Sequence, residues 1–119
     1  VSIKVGEIGR DLYVGTSFDL SSNTELIINF TSPDGSVSFS KAKADGVTAP
    51  AVDSPALPSS GDFSGGVLPA NTYMMYTTDG TEFVDGGHGG WEICTTYQDA
   101  TPKRFYGDDT TLLIAEACG

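Results

Sequence analysis

One histidine, two cysteines and six basic side chains are all that the 119 residues offer of the groups that most often carry catalysis, metal binding or nucleic-acid contact. Each scarcity excludes something. A nucleophilic triad needs a base held in fixed geometry, and His88 stands between two Gly-Gly pairs, in a stretch too pliable to hold an imidazole within about 0.5 Å. His88 is therefore read as a solvent-facing or contact residue. Zinc sites need Cys and His clustered at short spacing, which Cys94, Cys118 and His88 do not supply. Sixteen acidic side chains against six basic ones leave a net charge of -10, and the acidic residues are scattered, which argues against a phosphate backbone as partner. The same scatter keeps a protein soluble while it waits for its partner. No apolar run approaches the length of a transmembrane helix, and Val1-Ser-Ile-Lys-Val5 lacks the layout of a signal peptide. The expectation is a soluble chain with neither nucleic acid nor membrane as partner. A leader already cleaved, or a Met removed ahead of Val1, would fit this start equally well.

Two cysteines permit one disulfide at most, far from the density of a small secreted scaffold. If the last two strands form a hairpin around a loop from Gln98 to Thr110, Cys94 faces the region of Ile114 and Cys118 lies level with Gly90. That would leave the sulfurs about 13 Å apart. Free thiols are the first reading, with Cys118 as a candidate intersubunit thiol.

What is present is a composition of strands and turns: 39% apolar residues, 18% charged, and 15 glycines among many Thr, Ser, Asp and Asn. Ser2 to Phe18 reads as two short strands punctuated by Gly6, Gly9 and Gly15. Glu25-Leu-Ile-Ile-Asn-Phe30 places Leu26, Ile28 and Phe30 on one strand face. Ser32-Pro-Asp-Gly35 is a turn, and Ser36-Val-Ser-Phe-Ser40 alternates strictly, so the two strands are expected to form a hairpin. From Lys41 to Ala70 the pattern weakens among Pro50, Pro55, Pro58 and Pro69. Residues 41–70 are read as a long, partly ordered Pro/Gly/Ser-rich excursion packed on one domain that spans 1–119. Thr72 to Thr77 carries bulky groups on both faces, as if covered by that excursion or by another subunit. Thr81 to Val84 is expected to be a short strand. Trp91, Ile93, Thr95 and Tyr97 share an inward face, and Thr110 to Ala117 closes the fold. No segment shows a helical apolar period. The chain is expected to be all-β, an immunoglobulin-like antiparallel sandwich of roughly seven to nine strands.

Asp79, Glu82, Asp85, Asp99, Asp108 and Asp109 fall in loops that a sandwich could gather around calcium, yet none follows a calcium-loop spacing, and turn-forming aspartate is the first reading. Gly86-Gly-His-Gly-Gly90 precedes a strand and has no lysine to meet a phosphate. A carboxylate pair for glycoside hydrolysis is defined in space rather than along the chain, but so small a domain has little room for a deep cleft. No catalytic residue, metal or cofactor is assigned, and the chain is read as non-enzymatic. Tyr73, Tyr76, Trp91, Tyr97, Phe105 and Tyr106 could form a sugar-stacking platform, although core packing is the first reading for most of them. Lys103, Arg104, Phe105 and Tyr106 form the one local basic-aromatic patch on an acidic chain. Arg beside Tyr is the composition of interface hot spots, so these four are the candidate partner contact, expected to lie in a loop.

Two stretches carry a resemblance. One is Phe18 to Gly35, a strand running into a Pro-Asp-Gly turn. The other is Gly90-Trp-Glu-Ile-Cys-Thr-Thr-Tyr97, followed by Tyr106-Gly-Asp-Asp109 and the closing strand. Both resemble immunoglobulin-like structural domains of tailed-bacteriophage virions, such as the N-terminal domain of baseplate upper proteins. The matching residues are turn and core residues, and they cover less than half of the chain. The resemblance implies a virion structural protein made in the host cytoplasm. It would be a neck, tail or capsid-decoration subunit that contacts other virion proteins and copies of itself as a homo-oligomer. The long excursion departs from the family pattern. The rival expectation is an exported carbohydrate-binding sandwich, with a calcium ion held by loop carboxylates.

Overall fold

A computed structural model describes residues 3–16, 18–57, 65–84, 87, 89–107 and 110–115. Strands follow one another along the chain: β1 (Ile3–Lys4), β2 (Ile8–Gly15), β3 (Asn23–Thr31), β4 (Ser38–Ala42), β5 (Tyr73–Asp79), β6 (Gly89–Asp99), β7 (Arg104–Tyr106) and β8 (Thr110–Ala115). They form an all-β sandwich of two sheets. The larger runs β1-β8-β6-β3-β4, with β7 also on β6, and the smaller is β2 paired with β5. This order puts the β3–β4 hairpin and the last three strands in one sheet, opposite β2 and β5. One pairing departs from the expected antiparallel pattern: β1 runs parallel to β8, with Ile3 opposite Ile114 and Lys4 opposite Ala115.

Period-2 alternation in the sequence becomes the inner face of each sheet. In β3, Leu26, Ile28 and Phe30 are buried between half-buried neighbours, and in β6 Trp91, Ile93, Thr95 and Tyr97 turn inward. Leu12 and Val14 of β2 and Met74 and Tyr76 of β5 meet them from the other layer, with Leu20, Val47, Phe83 and Ile114 closing the core. Phe30 stacks on Phe39 at 4.8 Å, and Phe83 meets Trp91 edge-on at 5.2 Å. Each such side chain, once fully buried, contributes on the order of 1.5–3 kcal/mol. The Trp91 indole N–H donates to the Gly87 carbonyl at 3.1 Å, so the largest core residue buries no unpaired donor.

The β3–β4 hairpin forms as expected. Gly35, at φ 77°, closes its turn through an N–H donated to the Ser32 carbonyl, and Asp34 accepts from the Ser32 hydroxyl and from the N–H and hydroxyl of Ser36. The excursion is better tied than its composition suggests. Lys41 and Ala42 belong to β4, and a single 3-10 turn follows over Lys43–Asp45. Thr48 then pairs with Met75 in both directions at 3.0 and 2.8 Å, adding a rung to the smaller sheet. Ser54 bonds Leu68 through backbone and hydroxyl, and Leu57 pairs with Gly66. The expected cover over β5 is therefore the excursion: Tyr73 is buried and donates its hydroxyl to the Val52 carbonyl at 2.9 Å.

Two expectations are corrected. Thr81 to Val84 is a turn, because Glu82 folds back on the end of β5 and Phe83 drops into the core. The stretch from Gln98 to Thr110 is not a wide loop, since β6 continues to Asp99 and the chain reverses over Ala100–Pro102 into β7. The closing register shifts accordingly. Ile114 lies opposite Gly89 rather than Cys94, and Ile93 opposite Thr110.

Candidate functional site

The four residues singled out as a contact patch sit on this closing hairpin, in a strand and its turn rather than in a loop. Asp99 builds the turn: one carboxylate oxygen accepts from the backbone N–H groups of Thr101 and Lys103 at 3.0 and 2.8 Å and from the Thr101 hydroxyl. These donors hold the Asp99 carboxyl below its usual pKa, the Thr101 hydroxyl first. Thr96, Tyr97 and Gln98 then pair with Tyr106, Phe105 and Arg104. Beyond β7 the chain passes close under β6 at Gly107, whose N–H donates to the Thr95 carbonyl at 2.9 Å. A Cβ at Gly107 would run into the Thr95 hydroxyl.

Alternation splits the patch between two faces. Phe105 points to the core side, where it stacks on Tyr97 at 5.8 Å and on Phe18 at 5.3 Å, a three-ring ladder that roofs one end of the core. It is 39% exposed. Arg104 and Tyr106 point to the outer face of the larger sheet. Tyr106 is 63% exposed, and it covers its cross-strand neighbour Thr96, which is buried. The Arg104 guanidinium is held by two bonds to the Gln98 side-chain oxygen, at 2.9 and 2.5 Å, so it is presented in a fixed pose. Lys103 stands at the hinge between turn and strand.

The backbone of β7 has a polarity of its own. The Asp99 N–H donates to the Lys103 carbonyl, and the Gly107 N–H to the Thr95 carbonyl, so odd-numbered residues of this segment face β6. By antiparallel alternation, the N–H and C=O groups of Arg104 and Tyr106 face away from it. No protein partner meets them among the described residues, and no strand lies beyond β7 there.

The other candidates are placed as follows. Tyr73, Tyr76, Trp91 and Tyr97 are buried, so the proposed sugar platform is not assembled and only Phe105 and Tyr106 keep exposed rings. Glu82 is buried, accepting the Tyr76 hydroxyl at 2.5 Å and the N–H groups of Asp79 and Gly80 at 2.8 and 3.2 Å. Burial, then this hydrogen bond, pushes the Tyr76 phenol well above its ordinary pKa. Asp79 is taken up by Thr81, as Asp99 is by Thr101. Among the described residues, no three His, Cys, Asp or Glu side chains gather as metal ligands would. Cys94 is half-buried, with its sulfur 3.5 Å from the Gly107 carbonyl oxygen. His88, Cys118, Asp85, Asp108 and Asp109 lie outside the described residues. No helix among the described residues is long and apolar enough to cross a membrane.

Asp79 and Asp99 form turns, as the sequence reading has them; what it misses is that they belong to one repeated device. Asp19, Asp34, Asp79 and Asp99 each accept from the N–H of the Ser or Thr two residues on, at a turn beside a strand end. The signal is an Asp-x-Ser/Thr pattern, the side-chain mimic of a backbone turn. In comparisons with known proteins, the chain matches no family model, no curated protein and no solved structure.

Proposed function

We infer that this protein is a non-enzymatic structural subunit of a bacteriophage particle, in the neck, the tail or a capsid decoration, acting by contact with copies of itself and with other virion proteins. The observation that carries a contact role is strand β7, with an exposed tyrosine and a positioned arginine side by side on an edge that no described strand covers. Arg beside Tyr on one exposed face has the composition of an interface hot spot. The phage setting is supported by the two resembling stretches. These are β3 with its Ser32–Gly35 turn, and β6 with the chain that returns along it, the elements that build the centre of the larger sheet.

Light scattering of the purified chain over a range of concentrations, with and without reductant, tests this reading. Oligomers are expected, and any fraction that reductant takes apart implicates Cys118. A chain that stays monomeric throughout and binds glycan saturably would overturn it in favour of a carbohydrate-binding module.

A further inference from the structure

Strands β7 and β8 share one edge of β6, pairing with Thr96–Gln98 and with Gly89–Ile93, because β3 occupies the opposite edge. They are two halves of one strand lane. The next lane out is only partly filled: β1 takes it opposite Ile114 and Ala115. Opposite Arg104–Tyr106, no described strand takes it. So the fold already accepts a strand in this lane, and at β7 two N–H donors and two C=O acceptors, those of Arg104 and Tyr106, are turned toward the part that no described strand fills.

Resting on the contact reading above, we propose that this part of the lane, open among the described residues, receives an extended, acidic segment of a partner protein, which adds to the larger sheet as a strand beside β7. Main-chain pairing supplies the register, and the flanking side chains select the sequence. On the outer face, the incoming residues meet the Arg104 guanidinium, which Gln98 already orients, and the open ring of Tyr106. Lys103 adjoins them. Lys103 and Arg104 are the only adjacent pair of cations in a chain of net charge -10, so a carboxylate-bearing segment finds its complement at this corner. The Asp99 carboxylate beside them is engaged by the donors of its own turn. On the inner face, the Phe18 ring lies against Phe105, so the incoming strand has a small residue opposite Phe105.

The test uses the full chain, labelled with 15N, at a concentration below any self-association and at low salt. It is titrated with the peptide acetyl-Thr-Glu-Ala-Glu-Val-Thr-amide and, separately, with the same peptide carrying Lys in place of both Glu. The proposal expects the Arg104 and Tyr106 amides to exchange freely in the absence of peptide. With the acidic peptide they should shift and exchange at least tenfold more slowly, and with the lysine peptide they should not. Arg104→Glu should weaken the acidic peptide at least tenfold with an unchanged far-UV spectrum. Gln98→Ala, which releases the guanidinium but keeps its charge, should weaken it less. Equal or better binding of the lysine peptide overturns the proposal. So do shifts confined to β2 or β4, or protection of the two amides before peptide is added. Perturbation of Tyr106 by cellobiose and not by the peptide would overturn it too, and would place a saccharide there. Failure here with oligomers still present in light scattering removes the acidic strand and leaves the assembly reading intact, whereas peptide binding by a strictly monomeric chain does the reverse.

Discussion

Glu82 accepts from the Tyr76 hydroxyl and from two backbone N–H groups while almost wholly buried, and an amide at that position would turn a donor toward one of those donors. Glu82→Gln should therefore lower stability by about 1–3 kcal/mol, and Tyr76→Phe, which removes one bond and keeps the ring, by about 1 kcal/mol. Urea unfolding at neutral pH measures both. Equal effects would mean that the carboxylate organises nothing beyond the phenol. Gly107 makes the second residue-scale case. Its conformation is ordinary, so its absence of a side chain matters only for clearance over Thr95. Gly107→Ala should cost about 1–3 kcal/mol. Thr95→Ala in the same chain should return much of that loss, which a double-mutant cycle would read as positive coupling. Neither role was legible beforehand. Glu82 falls among polar and turn residues, and nothing along the chain says that its carboxylate points inward.

At the scale of elements, the strands that were legible are those whose apolar residues alternate over five or more positions, β3, β4 and β6, because one buried face dictates the pattern. Strand β7 was not, since three residues beside Pro102 carry no period and owe their conformation to pairing with β6. The apparent strand at Thr81–Val84 failed for the opposite reason: one apolar side chain there serves the core without any ladder. The Asp-x-Ser/Thr turns link these elements, and they also set the acid limit of the fold. Asp19, Asp34, Asp79 and Asp99 all have carboxyls held below the ordinary value, Asp34 at about 2, by hydrogen bonds from their own turns. A folded-state pKa below the unfolded one gives stability that is present above the unfolded value of 3.8 and is lost as pH falls through the folded value. Calorimetry should thus show a midpoint that is nearly flat above about pH 5 and declines from about pH 4 toward pH 2. Asp34→Asn should make that decline shallower. A decline of unchanged steepness would show that the turn bonds persist when the carboxyl is protonated.

At the scale of the whole molecule, an acidic sandwich leaves Phe105 and Tyr106 as the exposed rings among its described aromatic residues and sets its adjacent pair of cations beside them, on an edge that no described strand covers. The sequence already marked Lys103–Tyr106 by composition. What it could not show is that alternation divides the patch, with Phe105 roofing the core and Arg104 and Tyr106 facing outward. That division makes a selective variant possible. Changing Arg104 to Glu and Tyr106 to Ser alters the outer face while leaving the Phe18–Phe105–Tyr97 ladder in place. Sedimentation velocity of this double variant beside the unaltered chain, at matched concentration and in reductant, is the most direct test of the contact assignment. The assignment predicts that the unaltered chain sediments as a concentration-dependent oligomer and the variant as a folded monomer; identical sedimentation of the two would contradict it.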